Sequence, residues 1–438
     1  MVNVLGIVEE DQSEPRLIEI GGVVAPAAPS SFDDCGIGRQ NLLALCLKHA
    51  FTVQQFTTEW MIEKLCIPQA MAMDLLDELK QERLIEILGE SGTLTYVFTI
   101  SKLGRESAMR MMEISGYIGP APVTLEDYTS ALNWQVEHFE TVTADETAAA
   151  LSELVLSDDA RQVIGLALMS QRSLFVHGPP GNGKTSVGRL LHDAFRGHLW
   201  IPHAISVGRN IIRLFDPQCH KSAPVDLSHD ESRQVDLRWI RIERPFIVVG
   251  GELTIEALDL GHDSGSNFYE APLHLKANGG TFLLDDFGRQ RVEPSRLLNR
   301  WIIPLEHQVD YLTLRSGQKV QVPLRHMLVI STSLDPDTVV DPAFIRRIGY
   351  RLFLGNPTAE HYSQIFEQYV ASRGDSVTPG TLEHLLKRYD DAGRSFRSSE
   401  PGELIERARD ICRYQNKPME LNVEIVDQAW RGYFGERQ

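Results

Sequence analysis

The stretch Gly178-Pro-Pro-Gly-Asn-Gly-Lys-Thr185, continued by Ser186, constrains this chain more than any other part of it. It follows the apolar run Leu174-Phe-Val176 and leads into a helical stretch, so the local order is strand, loop, helix. Gly178, Gly181 and Gly183 let the backbone wrap around an anion with its amides pointing inward, and Pro179, Pro180 and Asn182 complete the loop. Lys184 can reach the β and γ phosphates of a nucleotide, and Thr185 can ligate magnesium. The helix N-terminus, with Ser186 in its first turn, adds favourable partial charge. Such a loop needs a parallel α/β sheet behind it to hold the strand and helix in place.

Binding is not hydrolysis. Turnover of ATP to ADP and phosphate also needs a carboxylate to hold Mg2+ and a group to polarise the attacking water. Phe282-Leu-Leu-Asp-Asp286 is an apolar strand ending in two acids, as expected of a buried parallel strand whose carboxyl end opens into the site. Asp285 is the candidate magnesium ligand and Asp286 the candidate for water.

Length and charge bound the rest. With 438 residues and 42% hydrophobic content, the chain supports two or three domains with separate cores. A net charge of −17 argues against a surface built mainly to grip nucleic acid or anionic lipid, and favours a protein partner. The five cysteines are scattered without metal-ligand spacing and read as reduced thiols, with Cys219 and His220 no more than neighbours in a loop. Residues 1–10 carry Glu and Asp where a signal peptide carries Lys or Arg, and no apolar run approaches membrane-spanning length. The expectation is a cytoplasmic protein without membrane insertion.

Residues 1–38, rich in Gly, Ala, Pro and Ser between 21 and 34, read as a flexible leader. Three apolar-periodic segments follow, over residues 42–51, 58–66 and 68–83, then a short strand at 84–88, a turn at 89–92, an alternating run at 95–100 and a helix at 101–114. This order over residues 39–115, with the phrase Tyr96-Val-Phe-Thr-Ile-Ser-Lys-Leu-Gly-Arg105, resembles the winged-helix family, a small α+β domain. Winged helices that read DNA need cations on the third helix. Here that helix carries Asp74, Asp77, Glu78 and Glu82 against Lys80 and Arg83, while Met71, Leu75, Leu76 and Leu79 form its core stripe. An adaptor for protein is the favoured reading. Residues 116–150 read as a linker followed by an acidic helical segment.

Two further motifs complete a family resemblance. A strand at residues 326–330 runs into Ser331-Thr332-Ser333, and Asp341-Pro-Ala-Phe-Ile-Arg-Arg347 follows. Together with the loop and the two acids, in this order, they resemble the AAA+ ATPases, over residues 151–356 for the α/β module and 357–438 for a helical lid. The resemblance implies a polar sensor at Ser333, with Thr332 the next choice, and an arginine finger at Arg346 or Arg347 that reaches the nucleotide of an adjacent subunit. It implies self-assembly into a hexameric or similar ring. Relatives carry Glu where Asp286 stands, which implies slower turnover. Many also carry a lid arginine where Gly402 stands, so that here either Arg394 or Arg397 substitutes or the lid sensor is missing.

The run Ala277-Asn-Gly-Gly-Thr-Phe-Leu-Leu-Asp-Asp286 resembles the helix-insert branch, shared by MoxR-type proteins and enhancer-binding activators. Residues 265–271 do not match the sigma-contacting loop of those activators. That segment and an expected hairpin at 311–322 are the candidate working surfaces. Three functions follow: a remodeller of a protein target, a nucleotide-controlled scaffold with little turnover, or a transcription regulator that binds DNA.

Overall fold

The computed structural model describes residues 14–90, 96–262, 265 and 267–435. The fold is α/β. At its centre lies a five-stranded parallel sheet in the order Phe246–Val249, Thr281–Leu284, Met327–Thr332, Leu174–His177, Tyr350–Phe353. Alternation along the strands explains why it is buried on both faces. Phe282 and Leu284 pack on one side with Leu297 and Trp301 of the helix Pro294–His307, while Leu283 packs on the other with Val187 and Leu191 of the helix Lys184–Asp193. Trp301 is 2% exposed, so its truncation to alanine costs about 3–5 kcal/mol.

The strand that feeds the glycine loop and the strand that ends in Asp285 are not neighbours. Met327–Thr332 lies between them. Because all three are parallel, their carboxyl ends converge at one edge of the sheet, where crossovers leave a crevice.

The leader expectation is corrected by the structure. Leu17–Ile20 and Val23–Pro26 form an antiparallel hairpin, and Phe32–Cys35 is a short helix. Gly21 and Gly22, read as linker residues, both have positive φ and make the two-residue turn that such a hairpin needs. The hairpin is anchored by Trp200, whose Nε1 donates to the carbonyl of Val24 at 3.0 Å, and by a small cluster of Ile20, Ala25 and Val235. Residues 1–13 lie outside the described part.

Residues 39–115 form three helices, Arg39–Phe51, Thr58–Leu65 and Gln69–Gln81, a three-stranded antiparallel sheet, and the helix Lys102–Ile114. In the sheet, Tyr96–Ile100 lies between Phe56–Thr57 and Ile85–Glu90. Gly89 and Glu90, expected to open a turn, instead continue the strand Ile85–Glu90 and pair with Val97 and Tyr96, while residues 91, 92 and 95 lie outside the described residues. Met71, Leu75, Leu76 and Leu79 are buried as their spacing requires, and Asp74, Asp77 and Glu82 are exposed.

Residues 116–150 are more integrated than a linker. Val123–Thr124 pairs with Ala204–Val207 in a second, mixed sheet, and Tyr128 of the helix Leu125–Glu137 is fully buried, its hydroxyl accepting from Asn278 Nδ2 at 2.9 Å. The buried Asp236–Arg238 pair closes this junction: Arg238 donates to the carbonyls of Cys35 and Pro122 at 2.9 and 3.3 Å. Removing either charge would strand the other in a dry interior, at a cost of about 3–5 kcal/mol.

Both candidate working surfaces are packed in this protomer. The expected hairpin forms as Val309–Thr313 and Lys319–Pro323, but Leu312, Val320 and Val322 are buried with the mixed sheet. In the 265–271 segment, Asn267 Nδ2 donates to the carbonyl of Glu113 at 2.7 Å and the ring of Phe268 meets Tyr117 edge-on. This segment therefore joins the N-terminal domain to the α/β module. Asp263, Ser264 and Ser266 lie outside the described residues.

The C-terminal part is helical: Ala359–Arg373, Thr381–Asp391, Glu400–Tyr414 and Val423–Phe434 pack around Tyr362, Phe366, Leu385, Tyr389, Leu404 and Trp430. Among the described residues, no helix is long and apolar enough to cross a membrane.

Candidate nucleotide site

At the convergent strand ends lies a cavity of about 500 Å³, lined by residues 153–156 and 180–186, by Asp285, Asp286, Arg289, Ser331 and Ser333, and by Ile365, Gln368, Ser398 and Ser399 from the lid. The glycine loop forms its floor. Gly178 has φ of 141°, and a Cβ there would come within 2.1 Å of the carbonyl oxygen of Leu354, so no other residue fits. Gly183, at φ of 83°, caps the helix that begins at Lys184. The loop is thus held open around a helix N-terminus, where backbone amides favour an anion.

Lys184 is 7% exposed, and its ammonium donates to the carbonyls of Gly178 and Pro179, both at 2.9 Å. Burial lowers its pKa, opposed by the attraction of Asp286 and Asp285. Thr185 Oγ1 donates to Asp285, at 2.9 Å from Oδ2 and 3.1 Å from Oδ1. One hydroxyl and one carboxylate side by side are hard oxygen donors, the set magnesium takes when phosphates and water fill its remaining positions. The residues fit that ion.

Asp286 lines the same cavity from a left-handed backbone conformation, φ of 49°, which aspartate tolerates better than most residues. The turn is fixed by Gln290, whose Nε2 donates to the carbonyls of Asp285 and Asp286 at 3.0 and 3.2 Å. Of the three polar residues at the end of the middle strand, Ser333 lines the cavity. Thr332 does not: it is fully buried, and its hydroxyl donates to the carbonyl of Phe287 at 2.7 Å. Ser331, not among the expected site residues, lines the cavity and donates to Asp285. Strand alternation could have found it, because residues 331 and 333 share a face and 332 takes the other. Arg289 was also missed, and no motif in the chain marks it.

The C-terminal helical part, the expected lid, touches the loop directly. The amide of Ser399 donates to the carbonyl of Gly181 at 2.9 Å, and that of Ser398 to Asn182 Oδ1 at 3.1 Å. Asn182 is buried and in turn donates to Asn356 at 2.9 Å, so it joins loop, hinge and lid and is not turned toward the centre of the cavity. The alkyl part of Arg397 lies against Gly181, within 3.6 Å of where a Cβ would stand. Arg394 is turned elsewhere, its guanidinium 4.1 Å from the ring centre of Phe434. At Gly402 a Cβ would meet the Tyr369 ring at 2.9 Å, so that position serves lid packing and has no room for an arginine.

The two candidate fingers differ. Arg347 is paired with Glu306 at 2.5 Å within the same protomer, whereas Arg346 is exposed. His220 serves its loop: Nδ1 accepts from the amide of Asp216 at 3.0 Å, and Nε2 lies 2.9 Å from the carbonyl of Lys276.

Comparison with known proteins adds little to this geometry. A family model described as a domain of unknown function (DUF8689) matches residues 358–432, the C-terminal helical part. No curated protein matches the chain. Among solved structures, NtrX from Brucella abortus is similar at 14% identity and a TM-score of 0.40, over 64% of this chain and 55% of that one. The chain thus spans about half the length of that NtrX chain. NtrX in complex with ATP is similar at 14% identity and a TM-score of 0.39, over 81% of this chain and 70% of that one. RuvB of Thermotoga maritima, a Holliday junction branch migration motor, is similar at 13% identity and a TM-score of 0.36, over 63% and 69%. At such values function has to come from the residues of the cavity.

Proposed function

We propose that the chain is an AAA+ ATPase that assembles into a ring and remodels a protein partner recruited by its winged-helix-like N-terminal domain. One observation carries the reading: Lys184 and Thr185 at a helix start and Asp285 and Asp286 at a strand end share one cavity with the glycine loop and the C-terminal helical part. ATP would lie with its phosphates along the loop amides and its base toward residues 153–156, Ile365 and Gln368. Thr185 and Asp285 would hold magnesium, which supplies charge to offset the phosphates. Lys184 would leave its loop carbonyls for the terminal phosphates, and Asp286 would orient and polarise the attacking water. Ser331 keeps the Asp285 carboxylate in place, and Ser333 is the polar sensor.

Arg346 is the finger of choice, since it is exposed while Arg347 is engaged in cis. A cation supplied by a neighbour stabilises charge that develops during phosphoryl transfer, which makes turnover depend on assembly. In the lid, Arg397 takes the role of the arginine that Gly402 cannot be. The exposed acidic face of Gln69–Gln81 supports a protein partner over DNA.

The test is ATP turnover against protein concentration, with molecular mass followed in parallel. Turnover per chain that climbs as mass rises supports the remodeller. Assembly on ATP with negligible turnover supports the switch-like scaffold instead, a reading that the short Asp286 side chain favours.

A further inference from the structure

A second cavity, of about 270 Å³, lies between the N-terminal domain and the mixed sheet. Its walls come from the helix Arg39–Phe51, from the end of Lys102–Ile114 with Ser115, and from the hairpin of Ala204–Val207 and Asn210–Arg213. Lys48 is 4% exposed and donates to the carbonyl of Ser115 at 2.9 Å. Its ammonium has three donors, so this bond does not saturate it. The Ser115 hydroxyl is buried and has no hydrogen-bond partner in the structure.

Charge makes the cavity unusual. In a chain of net charge −17, its lining includes Lys48 and Arg209 and no carboxylate. Desolvation lowers the Lys48 pKa to about 8, and no acidic group offsets it. A buried ammonium without a counter-charge and a buried hydroxyl without a partner are both costly, and together they ask for an acceptor between them. The remaining wall is largely aliphatic, with Leu45 and Ile211 on facing sides, and Asn41 adds one amide.

We propose that this cavity binds a small organic monocarboxylate with an apolar body, its carboxylate held by Lys48 and Ser115. Two donors match the two oxygens of a carboxylate, whereas a phosphate would leave further oxygens and charge unpaired in an apolar pocket. The volume limits the ligand to a small acid. Because the walls belong to both parts of the chain, occupancy ties the N-terminal domain to the module that carries the nucleotide cavity.

The experiment is equilibrium dialysis of the full chain against hexanoate, isovalerate and benzoate, with acetate and hexanol as controls. At least one acid should bind saturably at one per chain, while acetate, which lacks the body, and hexanol, which lacks the charge, bind far more weakly. Lys48→Met should weaken that binding by about tenfold or more, the value of a charge-assisted hydrogen bond. Ser115→Ala should weaken it less. Lys48→Met should not lower the melting temperature of the ligand-free protein, because it removes an uncompensated buried charge, so lost binding cannot be ascribed to unfolding. Failure of all three acids to bind the unaltered chain saturably overturns the proposal, as does equal binding by Lys48→Met.

Discussion

The two ends of the cavity proposed for ATP are built differently. At the phosphate end, Lys184 and Thr185 stand on one helix N-terminus and Asp285 and Ser331 on two parallel strand ends; Thr185 and Ser331 both donate to Asp285, and Lys184 donates to the loop carbonyls of Gly178 and Pro179. At the lid end, the amides of Ser398 and Ser399 bond the loop, the Ser399 hydroxyl lies against Gly181, and the carboxylate behind them faces inward. Glu400, 4% exposed, accepts from the Tyr389 hydroxyl at 2.8 Å and from the amide of Arg397 at 3.1 Å, while the Tyr362 hydroxyl donates to Tyr389 at 3.1 Å. Phosphate chemistry demands side chains at fixed places. A lid needs only a rigid edge that closes, and its polar groups serve to set that edge.

If this division holds, substitutions at the phosphate end change chemistry without changing stability, and those at the lid end do the reverse. Asp286→Asn should show the largest effect: ATP binding retained and turnover lost, measured by nucleotide titration beside phosphate release. Retained hydrolysis would remove Asp286 from its role. Gly402→Arg should come next. It forces a side chain onto the Tyr369 ring, destabilising the lid by about 1–3 kcal/mol in denaturant unfolding, without raising turnover. A gain in turnover would show that position 402 faces the nucleotide after all.

Glu400→Ala should cost about 1–3 kcal/mol by leaving the Tyr389 hydroxyl and the Arg397 amide without their acceptor, and Glu400→Gln less, since its amide oxygen still accepts. Equal loss in both would mean that charge, not acceptance, holds the lid edge. The smallest effect should be Arg347→Ala, which gives up a partly exposed pair worth about 0.5 kcal/mol. In mixtures with unaltered subunits, Arg346→Ala should lower turnover and Arg347→Ala should not. The opposite result would exchange their roles.

The same contrast explains what could be read from sequence. The loop, the two acids and their order along the chain were legible because each motif sits in contiguous residues with a fixed spacing. Ser331 is within reach of simple alternation, whereas Thr332, the next choice after Ser333 for a polar sensor, donates to the carbonyl of Phe287. Arg394 and Arg397 could not be ranked, because what separates them is the ring of Phe434, which holds Arg394, and the contact of Arg397 with Gly181 more than two hundred residues away. The N-terminal hairpin was hidden for a related reason. Gly21-Gly22 suits a linker or a tight turn equally, and the choice is made by Trp200 and Val235. Likewise, the packing of residues 265–271 depends on Glu113 and Tyr117, which no local pattern announces.

The most direct test of the account is calorimetric titration of ATP with magnesium into the unaltered chain and into Lys184→Ala. The unaltered chain should bind one ATP per chain, and Lys184→Ala, with an unchanged melting curve, should bind none within the range measured. Equal binding by both proteins, or none by the unaltered chain, would contradict the assignment of this cavity to ATP.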